Sequence, residues 1–137
     1  MYYQLDSTST LRKMFTVKRR TFQRLKHASE AKLHHHVYVV LLDPHAATDR
    51  KVLRENPIRD PSKPCLYVGL TGLTPAERFQ NHKLGIKAAR IVERYGLKLL
   101  PDLYEYLNPM PFEVTAQMEK ELTEDLRNQG FTVAGGT

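Results

Sequence analysis

The chain has 137 residues, 41% hydrophobic and 26% charged, which is enough for one ordinary core and too little for two. Its apolar runs fall short of the ~18 residues of a membrane span, and Met1-Tyr2-Tyr3-Gln4-Leu5-Asp6 has neither the basic start nor the apolar stretch of a secretion signal, so a soluble, cytoplasmic protein is expected. A single cysteine, Cys65, excludes an internal disulfide, and its place in an apolar run predicts a buried structural thiol, leaving redox chemistry unsupported.

The net charge of +6 is concentrated at one end. Residues 1–36 hold Arg12, Lys13, Lys18, Arg19, Arg20, Arg24, Lys26 and Lys32 against Asp6 and Glu30, whereas residues 37–137 hold thirteen charges of each sign. The expected organisation is a basic helical arm over residues 1–35 joined to an electrically balanced domain over 36–137. Such an arm fits a polyanion, since Lys/Arg contacts to phosphate release counterions and give affinity without reading sequence. A solvated, solubilising face has the same composition.

In chain order, Ser7-Thr8-Ser9-Thr10 offers helix caps, and Leu11, Met14, Phe15, Phe22 and Leu25 recur at near-helical spacing, predicting an amphipathic helix over about residues 9–29. Arg19, Arg20 and Arg24 on it are candidate nucleic-acid contacts. His34-His35-His36 follows. In an extended segment His34 and His36 share one side and His35 the other, which is no convergent zinc set and fits a phosphate-proximal position better. Two strands are predicted, His36–Leu42 and Cys65–Thr71, each rich in β-branched residues and leucine and each carrying one tyrosine. The connection 44–63 contains Pro44, Pro57 and Pro61 with five basic residues and no apolar period. It reads as a long loop that either contacts substrate or is mobile.

Thr74 as N-cap, Pro75 at the first position and Glu77 three residues after the cap predict a helix that places Arg78 and His82 on one face. Beyond Gly85 a second helix is expected over about 86–95. Lys83, Lys87, Arg90 and Arg94 then form a basic stripe that either tracks a phosphate backbone or is simply solvated. Leu103-Tyr104-Glu105-Tyr106-Leu107 alternates as the third strand. A final helix over about 112–128 buries Val114, Met118, Leu122 and Leu126 and stops at Gly130, and Phe131–Ala134 is a candidate edge strand. The fold expected is α/β: a small three-stranded, mainly antiparallel sheet flanked by helices.

The order of these features resembles the GIY-YIG nuclease superfamily over roughly residues 36–136. Its two signature strands correspond here to Val37-Tyr38-Val39 and Tyr67-Val68-Gly69, its arginine to Arg78, and its metal-binding glutamate to Glu119 in the frame Ala116-Gln117-Met118-Glu119-Lys120-Glu121-Leu122. The resemblance implies a metal-dependent endonuclease acting on nucleic acid, with DNA ahead of RNA and single-stranded or structured DNA as the first choice of substrate. One tyrosine is expected to orient or deprotonate the attacking water, Tyr38 as base with Tyr67 in support. Arg78 would clamp the phosphate, and His82 would donate to the phosphate or shuttle a proton. Glu119 would hold Mg2+ or Mn2+, and no small-molecule cofactor is expected. Glu121, Glu124 and Asp125 are expected to be solvated. Two departures stand out: the leading glycine of the first motif is absent, and Val133-Ala134-Gly135-Gly136-Thr137 stands where the family usually has an asparagine. Gly135 and Gly136 have backbone amides to offer a phosphate in its place. The alternative reading is a catalytically weak nucleic-acid-binding module that keeps the fold. Strong sequence specificity is not expected, because the domain has no recognisable base-reading motif.

Overall fold

A computed structural model describes residues 33–136 of the chain; the helix expected over 9–29, with Arg19, Arg20 and Arg24, lies outside them. The two tyrosine strands form where the sequence predicts them, as β1 (His36–Leu42) and β2 (Cys65–Thr71), paired antiparallel with Tyr38 opposite Gly69 and Val40 opposite Tyr67. Directly opposed residues share a side of the sheet and positions two apart point the same way, so both tyrosines project from one face.

Between them the chain is ordered, contrary to the expected loop. Asp43 caps a 3-10 turn over Pro44–Thr48, and Asp49 accepts hydrogen bonds from the Lys51 and Val52 amides to start helix α1 (Arg50–Glu55). Asn56 then reaches across 77 positions to Val133, accepting from its N–H (2.8 Å) and donating to its carbonyl (2.9 Å). These local side-chain bonds, not an apolar period, fix the segment.

Helix α2 (Pro75–Lys83) carries the full capping box between Thr74 and Glu77. The next helix is shorter than its pattern suggests. Gly85 and Lys87 adopt positive φ (77° and 47°), which a helix cannot accommodate, and α3 is confined to Arg90–Tyr95. The basic stripe of Lys83, Lys87, Arg90 and Arg94 is therefore broken.

The third strand is β3 (Gly96–Leu99), not residues 103–107. The latter form two 3-10 turns, Pro101–Leu103 and Glu105–Leu107. Leu103, Tyr104 and Leu107 are the buried residues there, a spacing of one and four that belongs to a helical turn; a strand would have put Glu105 in the core beside Leu103 and Leu107. Next to these turns, Asn108 bonds both the N–H (2.9 Å) and the carbonyl (2.7 Å) of Val37 through its side chain, standing in for a strand partner. Helix α4 (Phe112–Asn128) buries Met118, Leu122 and Leu126, with Val114 partly exposed. Each fully buried aliphatic side chain contributes roughly 1.5–3 kcal/mol. Gly130, at φ 95°, turns the chain into β4 (Thr132–Gly135), which pairs parallel to β2. The sheet is thus four-stranded and mixed, in the order β3-β1-β2-β4, within an α/β domain. The fourth strand is the one the sequence offered only as a candidate edge. Among the described residues no helix is long and apolar enough to cross a membrane. Cys65 is buried, and burial pushes its thiol pKa up.

Candidate active site

Tyr38 is 1% exposed and its ring crosses β2 over Gly69. A side chain at Gly69 would place its Cβ 2.5 Å from the Tyr38 Cζ, so only glycine lets the phenol take this course. The ring ends at His82 on α2, with Tyr38 Oη 2.8 Å from His82 Nε2. His82 is fully buried, and its other nitrogen, Nδ1, accepts a 3.0 Å hydrogen bond from the Ala89 N–H. An amide can only donate, so Nδ1 carries a lone pair. Burial, reinforced by the Arg78 charge, lowers the imidazole pKa to about 4 and keeps it neutral at pH 7. The remaining proton is assigned to Nε2, which donates to Tyr38. Both nitrogens of His82, the residue expected to reach a phosphate or shuttle a proton, are then engaged within the protein, and its ring has no exposed surface.

With its oxygen accepting from His82, Tyr38 directs its own hydrogen to Tyr67, with which it interacts; the two ring centroids are 6.1 Å apart, and Tyr67 lies 5.8 Å from His82. Tyr38 titrates well above the ordinary range, chiefly because it is buried, with the neighbouring Tyr67 adding to the rise and Arg78 opposing it. Tyr67 is half-buried. Its pKa is raised by burial first and the Glu119 charge second, while Arg78 and the Tyr38 hydrogen bond lower it. Gly135 makes room for this ring, since a Cβ there would come within 2.8 Å of Tyr67 Cε1.

Arg78 is aimed by the loop between α2 and α3. Its Nη1 and Nη2 donate to the carbonyls of Ile86 (3.4 Å) and Lys87 (3.0 Å), the stretch whose Ala89 amide holds His82. One short loop thereby orients two of the five candidate residues. Lys83 is tied down by donating to the carbonyls of Glu93 and Gly96, both at 3.0 Å. Lys87 and Arg90 are exposed.

Glu119 is 6% exposed. Among the described residues no side chain bonds its carboxylate, and burial alone raises its pKa to about 7. A largely covered carboxylate that no side chain bonds is one that a cation would stabilise in its charged form. One carboxylate suits Mg2+, which keeps several waters, and the residues present therefore fit the implied ion. No group of three or more metal-ligating side chains occurs among the described residues. Glu121 is half-buried rather than solvated, with an unpartnered buried Oε2; Asp125 is also half-buried, and Glu124 is exposed. The glycine amides expected to face a phosphate are accounted for at Gly136, whose N–H donates to the Val68 carbonyl at 3.0 Å.

The geometry gathers the rings of Tyr38, Tyr67 and His82, with Arg78 close enough to influence all three electrostatically and Glu119 close enough to influence Tyr67. Sequence reasoning missed the Ala89 amide and the Ile86 and Lys87 carbonyls, because backbone groups leave no residue-type signal. The role of Gly69 was available once β1 and β2 were set in register. Comparison of the chain with protein-family models, with curated proteins and with solved structures finds no match in any of the three.

Proposed function

We propose that this protein is a metal-dependent endonuclease of the GIY-YIG type that hydrolyses phosphodiester bonds in nucleic acid, DNA in preference to RNA. The observation that carries the reading is that two phenols, a loop-oriented guanidinium and a largely covered carboxylate that no side chain bonds, drawn from four separate elements, lie close enough to act on one another electrostatically. Hydrolysis of a phosphodiester requires a placed water, an acceptor for its proton and positive charge around the phosphorus.

In this reading the two tyrosines exchange the roles first expected of them. Tyr38 is sealed and its oxygen is already taken by His82, whereas Tyr67 is the partly exposed one. Tyr67 is the phenol that meets the water and accepts its proton, and Tyr38 and His82 act as positioning residues behind it. Arg78 sets its planar fork against two phosphate oxygens, a task for which lysine is a poor substitute. In the free protein Tyr67 is held protonated by burial and by the Glu119 charge, so its activation needs added positive charge. A magnesium or manganese ion held by Glu119 would supply that charge to the phenol and to the phosphorus.

The test is cleavage of end-labelled single-stranded DNA, duplex DNA and RNA by the full chain and by an identically purified Glu119→Ala variant, with magnesium, manganese or chelator. Cutting that needs metal and disappears in the variant is expected. Cutting that survives in Glu119→Ala would indict a contaminant or a different metal ligand and overturn the role given to Glu119, and a wild type that binds but never cuts would replace this reading with the nucleic-acid-binding module.

A further inference from the structure

Of the large hydrophobic side chains left exposed among the described residues, only Phe112 is aromatic. It opens α4, is 65% exposed, and its ring centroid lies 5.0 Å from that of His35, which is 5.7 Å from the exposed ring of His34. The rings tilt against one another at 59° and 71°, with Phe112 and His34 exposed and His35 half-buried between them. Their support is rigid. His35 exchanges two backbone hydrogen bonds with Met110 (3.0 and 2.8 Å), and Gly72 leaves just enough space for its ring, a Cβ there coming 3.3 Å from Nε2.

His36 interacts with the backbone of Leu73, 42% exposed, at the start of the segment that leads into α2 and Arg78. In sequence, His34 and Leu33 are preceded by residues 1–32, which carry eight Lys/Arg against two acids. A ring surface that follows a basic segment in sequence and adjoins, through Leu73, the segment leading to Arg78 suits one ligand chemistry. Every unpaired base has a face that stacks on aromatic rings, while in a duplex those faces are already stacked on each other.

We infer that Phe112, His35 and His34 form a stacking platform for unpaired bases next to the scissile phosphate, which makes single-stranded nucleic acid the substrate class; the inference rests on the nuclease reading above. The basic segment supplies sequence-independent affinity for phosphate, and the rings discriminate strand state.

The experiment is binding of the full chain, in chelator so that nothing is cut, to a fluorescently labelled single-stranded DNA and to a duplex of the same sequence. A second label, 2-aminopurine within the single strand, reports stacking. Phe112→Ala is expected to weaken single-strand binding by about 5- to 150-fold and to abolish the 2-aminopurine quench, with duplex affinity unchanged and Phe112→Tyr close to wild type. Because Phe112 is mostly exposed, the variant keeps its fold, and circular dichroism checks this. Equal weakening of both ligands, or no change in either, would overturn the platform. A wild type that cuts single strand and duplex alike would overturn the platform and spare the nuclease reading. A wild type that binds neither would overturn both.

Discussion

The two ends of the candidate site are built on opposite principles. At the Tyr38 end every polar atom has its partner: Ala89 N–H to His82, His82 to Tyr38, Tyr38 towards Tyr67, with Gly69 cleared to let the phenol through. At the Glu119 end the residue is largely covered and, among the described residues, no side chain bonds its carboxylate. A completed chain fixes positions before substrate arrives, whereas an incomplete one has a ligand to gain, and burying a charge without that prospect carries only cost. In the proposed nuclease the contrast would separate a positioning half of the site from a binding half.

The largest expected effect falls on the binding half. Glu119→Ala should reduce metal-dependent cleavage by at least about 100-fold while leaving the protein folded. Its stability above pH 7 should equal or exceed wild type, because an uncompensated buried charge has gone. A urea titration alongside the cleavage assay checks both. In the positioning half, Gly69→Ala drives a methyl group into the Tyr38 ring and should cost about 1–3 kcal/mol, with cleavage falling because the Tyr38–His82 bond is displaced.

The two halves also titrate in opposite senses. Glu119, raised from 4.5 to about 7, holds more protons folded than unfolded in that window, so its contribution to stability falls as pH rises through it. His82, lowered from 6.5 to about 4, binds more protons unfolded, so its contribution rises from about pH 4 to 6.5. Between about 4.5 and 6.5 they oppose each other. Glu119→Gln should therefore make stability climb more steeply with pH there, and His82→Gln should make it decline, each by up to about 1.4 kcal/mol per pH unit. Unfolding midpoints measured across this range in chelator decide it; identical slopes in the two variants would remove the distinction. The smallest effect is expected at Lys87, held at φ 47°: Lys87→Gly should relieve about 1 kcal/mol of backbone strain, read as a small rise in the urea midpoint.

How much of this was legible in the sequence depends on what kind of interaction makes each element. Strands β1 and β2, helix α2 with its capping box, and helix α4 with its apolar stripe and Gly130 stop are written in periodicity and cap chemistry, and they form where those signals place them. The third strand was misplaced because Leu103-Tyr104-Glu105-Tyr106-Leu107 alternates only in appearance; its buried positions are those of a turn. Residues 44–63 lack an apolar period because Asp43, Asp49 and Asn56 organise them through hydrogen bonds to backbone groups, one of them 77 residues away. At the site, the residue types were readable and their environments were not. Whether His82 faces a phosphate or the core depends on the Ala89 amide, and whether Tyr38 or Tyr67 meets water depends on which ring the sheet covers.

The division between a positioning phenol and a reacting phenol is tested most directly by single-turnover cleavage of a labelled single-stranded DNA with magnesium, comparing Tyr67→Phe with Tyr38→Phe. Tyr67→Phe is expected to lose about 100-fold or more in the chemical step and Tyr38→Phe distinctly less, since it keeps the ring and removes only the bond behind Tyr67. Wild-type rates in Tyr67→Phe, or a larger loss in Tyr38→Phe, would contradict it.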